Sequence, residues 1–253
     1  MADLAERLDL DALAADLDRD GYVVIPGLFD DEEMDLLQAA MVTLQKAITA
    51  GTLDRRYAGD EYLAEFDGDV PPYCHYVAGV TRLSPVAGAA FSHPVIVELC
   101  RRIIGDALWE FDVNGRGTVY QDARPGPGMT YTRIGWHSDH QSRPTSTFWP
   151  GMAVTIHLDA TSPANGFLRV VPGSHKGGTD GMPLGFEKVP GEVGVYCERG
   201  DVILHHCDLW HSAARATDDP PAGVRRHVRG SYMGGPRPEP GAPLEPFNKN
   251  AAR

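Results

Sequence analysis

The clearest pattern of apolar and polar positions lies between residues 30 and 51. Five apolar side chains recur there at intervals of three or four residues: Met34, Leu37, Met41, Leu44 and Ile48. Asp30 precedes this stripe, Glu33 stands three residues later at the spacing of a capping box, and Gly51 follows the stripe. The pattern predicts an amphipathic helix whose apolar face packs into the core.

Two further segments in the first half show helical spacing. Leucines within residues 4–18 predict a short helix that ends at Gly21 or just before it, followed by a strand up to the turn at Gly27. Pro94 to Ile104 predicts another helix, with proline in its first turn. Residues 52–92 have no clear pattern, and we interpret them either as a lid or binding loop or as a surface connection.

From residue 107 onward, short strand-like runs alternate with turns rich in Gly, Pro and Asn. The predicted strands are Leu108–Val113, Thr118–Gln121, Met152–Leu158, Phe167–Val171, Gly194–Cys197, Asp201–His205 and Arg226–Met233. This rhythm is typical of an antiparallel sandwich or barrel. We therefore expect a mainly β protein with flanking helices.

The order of these segments predicts one domain over residues 1–253. Its helical part covers about residues 1–105, its β core about residues 106–235, and an extended C-terminal tail follows.

Composition narrows the classes of function. The chain is 42% hydrophobic and 23% charged, with a formal net charge of -12. This acidity disfavours nucleic acid or an anionic membrane as the main partner. The four cysteines form no Cys-x-x-Cys motif, and no segment approaches about 18 uncharged apolar residues. Because the first residues lack a basic and apolar leader, we expect a cytoplasmic protein.

A His-x-Asp motif is the strongest chemical signal. On a β-strand, His137 and Asp139 point to the same face, because successive side chains alternate. One imidazole and one carboxylate are two of the three protein ligands used by non-haem Fe(II) oxygenases. The same ligands accept Mn(II), Co(II) and Zn(II), so the motif predicts a divalent metal site without selecting the metal.

The third ligand is expected from a distant histidine. His211 is the best candidate, because it follows the turn and strand that begin at Gly200 and is expected near that strand's end. Four other histidines remain alternatives: His157, His175, His205 and His206. His205 and His206 point to opposite sides of their strand, so at most one of them faces inward. We interpret His206 as a buried, hydrogen-bonded histidine near the site.

Arg225 opens a cation-rich strand in this acidic protein. An arginine fork binds a carboxylate through two parallel hydrogen bonds, so Arg225 is a candidate to hold the far carboxylate of a dicarboxylic co-substrate. The alternative is a cluster of surface arginines.

Residues 13–233 resemble the phytanoyl-CoA dioxygenase family of Fe(II)/2-oxoglutarate-dependent oxygenases. The resemblance rests on motifs in the family's order: Asp20–Ile25, Trp136–Asp139, Leu158–Thr161, Asn165–Leu168, Val171–Lys176, Gly200–His206 with His211, and Arg225. Two departures matter. Ala213 stands where the family often has serine, and the longer gap after His211 leaves Arg226 as an alternative to Arg225.

The resemblance implies a double-stranded β-helix, the cupin-like jelly roll. It implies Fe(II) held by His137, Asp139 and His211, with 2-oxoglutarate and O2 as co-substrates and with succinate as a product. It also implies hydroxylation or a related oxidation, because related halogenases have Gly or Ala in place of Asp139.

We assign Thr155 and Gln121 to 2-oxoglutarate binding together with Arg225, because both are expected to face the cavity. Four residues are candidates to line its entrance or contact substrate: Tyr73, His75, Phe148 and Trp149. Simple packing is the alternative for these side chains. No cation-rich segment stands out beyond Arg225, Arg226 and Arg229. This favours a small free substrate over a CoA thioester. The sequence leaves the oligomeric state open.

Two other hypotheses remain. The first is a cupin-like metalloenzyme, such as an isomerase, that uses Zn or Mn without 2-oxoglutarate and gives Arg225 no role. The second is a binding module without catalytic activity on the same barrel.

Overall fold

The structure is a computed structural model that describes residues 8–54, 57, 63–64, 73–112, 117–124, 134–139, 148–213 and 223–239. Its helices are α1 (Leu10–Asp20), α2 (Asp31–Thr49), α3 (Val80–Leu83), α4 (Pro85–Phe91) and α5 (Pro94–Ile104), and Ser174–Lys176 forms a 3₁₀ turn.

The strands follow the chain in this order: β1 (Tyr22–Ile25), β2 (Leu63–Ala64), β3 (Tyr73–Cys74), β4 (Tyr76–Ala78), β5 (Trp109–Glu110), β6 (Val119–Ala123), β7 (Ile134–His137), β8 (Gly151–His157), β9 (Leu168–Val170), β10 (Val193–Val195), β11 (Val202–His206), β12 (His211–Ala213) and β13 (Arg225–Met233).

Most of these strands form two antiparallel sheets, and β2 pairs with β3 in a separate two-stranded sheet. The larger sheet has the order β1-β11-β8-β13-β6-β4, with β5 paired to β13, and the smaller one has the order β10-β9-β12-β7. Along β6 to β13, the chain passes repeatedly from one sheet to the other. This topology is a double-stranded β-helix, so the predicted mainly β fold with flanking helices is confirmed.

Each face of the larger sheet packs against a different layer. On the outer face, Val154 and Ile156 belong to a core cluster that includes Leu37 of α2 and Leu99 of α5. On the inner face, Ile203 packs with residues of the smaller sheet. Helices therefore cover the outer face, and the inner face is the side turned toward the smaller sheet.

Helix α2 begins as predicted. The Asp30 side chain accepts a hydrogen bond from the Glu33 backbone, and the Glu33 side chain accepts one from the Asp30 backbone. The apolar stripe is buried, although Gln45 is more deeply buried than Leu44. The Gln45 amide donates to the backbone carbonyl of Cys74, which ties the helix to the strand edge.

The structure differs from the prediction in residues 52–92. Part of this segment forms β3, β4, α3 and α4. The two helices span four and seven residues, which is too short for a helical period to be visible in the sequence. Because β1 and β4 both join the larger sheet, the helical part of the chain contributes to the β core. A single domain over residues 1–253 stays a prediction.

No helix in the described ranges combines the length and the apolar character needed to cross a bilayer.

We expect Asp30→Ala to lower the free energy of unfolding by about 1 kcal/mol, because the first turn of α2 loses its side-chain cap. Urea unfolding followed by circular dichroism measures the change. Glu32→Ala, in the same exposed turn, is the matched control and is expected to change stability much less. Equal effects of the two substitutions would contradict the capping role.

Candidate metal centre

Two histidines face each other across neighbouring strands of the smaller sheet. β7 and β12 pair antiparallel, with His137 directly opposite His211. Their ring centroids are 4.1 Å apart, and both side chains are buried. The strand register therefore brings together two imidazoles that are far apart in the sequence.

Asp139 completes the group from outside the strand. β7 ends at His137 and Asp139 lies in the following turn, so the expectation that both residues sit on one strand face is wrong in detail. The Asp139 Oδ1 atom is 3.8 Å from Nε2 of His137 and 3.8 Å from Nε2 of His211. One ligand atom from each residue lies within 4.8 Å of the other two, a separation that one metal ion can bridge.

Backbone carbonyls fix the proton on each imidazole. Nδ1 of His137 is 2.8 Å from the carbonyl oxygen of Gly135, and Nδ1 of His211 is 2.9 Å from that of Leu209. A carbonyl only accepts, so each Nδ1 carries the proton and donates. Each Nε2 therefore presents its lone pair toward the centre, as a metal ligand requires.

The protonation states also suit metal binding. Burial opposes ionisation of Asp139, but its proximity to His211, His205 and His137 holds the pKa of its carboxyl well below the usual range. Burial, reinforced by His137 and His205, lowers the pKa of His211 far below its ordinary value. A neutral imidazole and an ionised carboxylate are the binding forms, so this donor set fits Fe(II).

His205 lies next to the triad. Its Nε2 atom is 3.6 Å from Oδ2 of Asp139, and its ring centroid is 4.5 Å from that of His211. Within the described residues, neither ring nitrogen of His205 has a hydrogen-bond partner. The sequence indicated that at most one of His205 and His206 faces inward, but it did not show how close His205 lies to Asp139.

The other alternative ligands lie elsewhere. His206 points to the opposite side of β11, where its Nδ1 accepts from the backbone of Asp208. His175 lies against the Asp18 carbonyl at the surface. His157 lies on the inner face of β8, where it pairs with His227 of β13. It is four residues along β8 from Ala153, the residue that pairs with His205. His211 itself lies on β12, a separate strand after a turn, rather than at the end of β11.

The two candidate arginines lie on opposite faces of β13. Arg226 forms an ion pair with Asp159 at 2.6 Å. This largely buried pair holds the Arg226 side chain on the face that points away from the space between the sheets. Arg225 shares the inner face with His227 and is only 6% exposed. The register therefore favours Arg225 as the cation that faces the space between the sheets.

Gln121 and Thr155 both lie on the inner face. Gln121 pairs with His227, and Thr155 pairs with Ile203 on one side and with Arg229 on the other. Gln121 is buried and Thr155 is partly exposed. Their orientation agrees with the expected one, and their role in co-substrate binding stays a prediction.

The first two predicted substrate residues lie near β3 and β4. The backbone of Tyr73 is in β3, and its side chain lies outside the described part of the chain. His75 is half-buried between β3 and β4, and its carbonyl accepts a hydrogen bond from the Asp122 backbone. Burial lowers the pKa of His75. A role in substrate binding stays a prediction for both residues.

Phe148 and Trp149 make other contacts among the described residues, and a role at the entrance stays a prediction for both. Phe148 is buried in a small apolar cluster with Phe111 and Met233, which is core packing. The Trp149 indole is 49% exposed and donates to the Asp208 carboxylate on the His206 side of the sheet. For an aromatic residue in a loop, the local sequence does not distinguish packing in the core from lining the entrance of a cavity.

The fold and the triad together define a class of protein: a double-stranded β-helix with two histidines and one carboxylate converging between its sheets. The family model described as "Phytanoyl-CoA dioxygenase (PhyH)" matches residues 17–222. This chain belongs to the phytanoyl-CoA dioxygenase family.

Curated relatives carry the name ectoine dioxygenase. The one from Stutzerimonas stutzeri (strain A1501) is 30% identical over 186 residues, which cover 69% of this chain and 50% of the relative. The one from Bordetella parapertussis is 28% identical over 174 residues, which cover 66% and 51%. The chain thus spans about half the length of the curated relatives it matches.

Solved structures with the same fold include enzymes from natural-product biosynthesis. The non-heme alpha ketoglutarate dependent epimerase SnoN from nogalamycin biosynthesis has a TM-score of 0.64 at 24% identity, over 96% of this chain and 95% of that one. EctD from S. alaskensis with bound Fe has a TM-score of 0.64 at 22% identity, over 87% and 75%. At these identities, the likeness establishes the fold.

We expect His211→Ala to abolish stoichiometric binding of Co(II), used as a stable probe for a divalent metal, because two of the three converging ligands do not make a facial site. Calorimetric titration of the metal-free protein measures the affinity. His175→Ala is the matched control, since it removes a histidine from the surface near α1. Retention of one tight Co(II) site in His211→Ala would rule out this triad.

Proposed function

We propose that this protein is an Fe(II)- and 2-oxoglutarate-dependent dioxygenase that oxidises a small molecule. The observation that carries the proposal is the convergence of Nε2 of His137, Nε2 of His211 and Oδ1 of Asp139, with both Nδ1 atoms bound to backbone carbonyls. Membership of the phytanoyl-CoA dioxygenase family supports it.

The three ligands would occupy one side of the iron and leave the other side for co-substrate and O2. When bound, Fe(II) and 2-oxoglutarate supply the oxidising chemistry: 2-oxoglutarate loses CO2 and becomes succinate, while one oxygen atom is delivered to the substrate. The protein's own part is to hold the ligand atoms in position, keep Asp139 ionised and keep His211 neutral.

Arg225 is the proposed partner of the far carboxylate of 2-oxoglutarate. It is buried on the inner face of β13, and a guanidinium in such surroundings favours a planar anion that it can bind bidentately. Gln121 and Thr155 share this inner face and are proposed to contact the same co-substrate.

The proposed outcome is hydroxylation or a related oxidation. A carboxylate at position 139 leaves no vacant ligand position for a halide, which argues against halogenation. A small-molecule substrate is supported by the acidic net charge of -12, which disfavours polyanions, and by the names of the relatives, which refer to ectoine and nogalamycin.

We expect anaerobic addition of Fe(II) and 2-oxoglutarate to the metal-free protein to produce a weak visible charge-transfer band, and His211→Ala to lack it. The band requires iron chelated by the keto acid, so a zinc or manganese enzyme that does not use 2-oxoglutarate would give none. The absence of the band in the wild-type protein, together with no succinate formed in air, would contradict the proposed function.

We also expect Arg225→Ala to weaken 2-oxoglutarate binding about 10- to 100-fold, because hydrogen bonds to a charged group are worth about 1.5–3 kcal/mol. Calorimetry on the Co(II)-loaded protein measures the Kd. Arg226→Ala removes the same charge from the opposite face and is expected to leave the Kd unchanged. An equal loss in both variants, or none in Arg225→Ala, would exclude the assignment.

A further inference from the structure

A second arginine lies on the inner face of β13. β13 and β8 pair without a break from His227 opposite His157 to Met233 opposite Gly151, and within this run Arg229 pairs with Thr155. Thr155 in turn pairs with Ile203, which packs between the two sheets. Directly paired residues share a face of a sheet, so Arg229 projects toward the interior, like Arg225.

The electrostatics of His227 agree with this placement. The pKa of His227 is lowered well below its ordinary value, first by burial, then by Arg225 and His157, and also by Arg229. Both guanidinium groups therefore lie near this inner-face imidazole.

Arg229 differs from Arg225 in its surroundings. Arg225 and His227 are buried, whereas Arg229 is exposed although it stands on the interior face. The Arg229 side chain is thus accessible to solvent. Among the residues that the structure describes, no hydrogen bond or ion pair joins Arg229 to another side chain, in contrast to Arg226, which binds Asp159.

The register also sets how far Arg229 lies from the metal centre. His205, whose Nε2 is 3.6 Å from Asp139, pairs with Ala153, and Ala153 pairs with Ser231. Arg229 is two residues from Ser231, so its Cα lies about 7 Å along the strand and about 10 Å across two strand spacings, or about 12 Å from the Cα of His205. An arginine side chain and a small molecule together span this distance.

We propose that Arg229 binds the substrate and that the substrate is a small oxyanion. Its anionic group lies against the guanidinium of Arg229, and the group to be oxidised points toward His137, Asp139 and His211. This inference rests on the proposed function and extends it to the class of substrate. The exposed position suits a molecule that enters and leaves in each turnover, and the planar guanidinium fork suits a carboxylate or a phosphate.

The test measures succinate release by the Fe(II)-loaded protein at saturating 2-oxoglutarate, over a panel of small molecules in matched forms. Each is supplied as a carboxylic acid, a phosphate ester and a neutral amide or alcohol. We expect one anionic form to stimulate turnover and its neutral counterpart not to. The form that stimulates identifies which oxyanion is used.

Variants locate the effect at Arg229. Arg229→Ala is expected to raise the KM for the stimulating compound about 10- to 100-fold and to leave the Kd for 2-oxoglutarate unchanged, while Arg229→Lys recovers part of the loss. Arg19→Ala, an exposed arginine on α1, is the control.

Three results would overturn the inference while leaving the proposed function intact. They are stimulation by neutral forms that is insensitive to Arg229→Ala, weaker 2-oxoglutarate binding in Arg229→Ala, and no stimulation by any anion of the panel while 2-oxoglutarate still binds. Failure of the wild-type protein to bind 2-oxoglutarate at all would instead refute the proposed function, and the substrate inference with it.

Discussion

The metal centre depends on one strand pairing, that of β7 with β12. This pairing sets His137 opposite His211, and the carbonyls of Gly135 and Leu209 hold the two Nδ1 protons. A buried imidazole without a partner is costly, so these two hydrogen bonds both stabilise the strands and determine which nitrogen faces the centre. Asp139 requires only a turn after β7 to reach both rings. A shift of one residue in this register would turn one imidazole to the other face of the sheet.

The two faces of the larger sheet have different roles: the outer face stabilises the fold, and the inner face carries polar groups of the candidate site. Its outer face is apolar and packs against α2 and α5, which supplies hydrophobic stabilisation. Its inner face holds buried polar atoms that have no hydrogen-bond partner among the described residues, including both ring nitrogens of His157 and of His205. Each unsatisfied buried group costs about 1–3 kcal/mol. The outer core offsets this cost, and a bound ligand or water would relieve it, as expected for a binding cavity.

Long periodic patterns predicted their elements well, and local motifs predicted the ligands. The capping box at Asp30 and the stripe of α2 carry enough residues to define a helical period, and Pro94–Ile104 was predicted with its observed bounds. In contrast, α3 and α4 are too short to show a period. The place of His205 beside Asp139 depends on how β11 sits relative to β7, two strands in different sheets. Strand register between distant segments is a property of the folded sheet and leaves no trace in a local pattern.

The two inward arginines of β13 impose an electrostatic condition on the cavity. Arg225 and Arg229 are four positions apart, or about 13 Å along the strand, so the two cations repel each other by at most roughly 1 kcal/mol at an effective dielectric constant of about 20, and by less once solvent screens the exposed Arg229. His227, between them, stays neutral because burial and both arginines lower its pKa, which avoids a third charge. The first anion to bind removes this repulsion, because it cancels the charge of the guanidinium that holds it. A co-substrate held by the buried arginine therefore lowers the positive potential at the exposed one, and an acidic substrate bound there would depend on the hydrogen bonds and charge of Arg229 itself rather than on a field shared with Arg225.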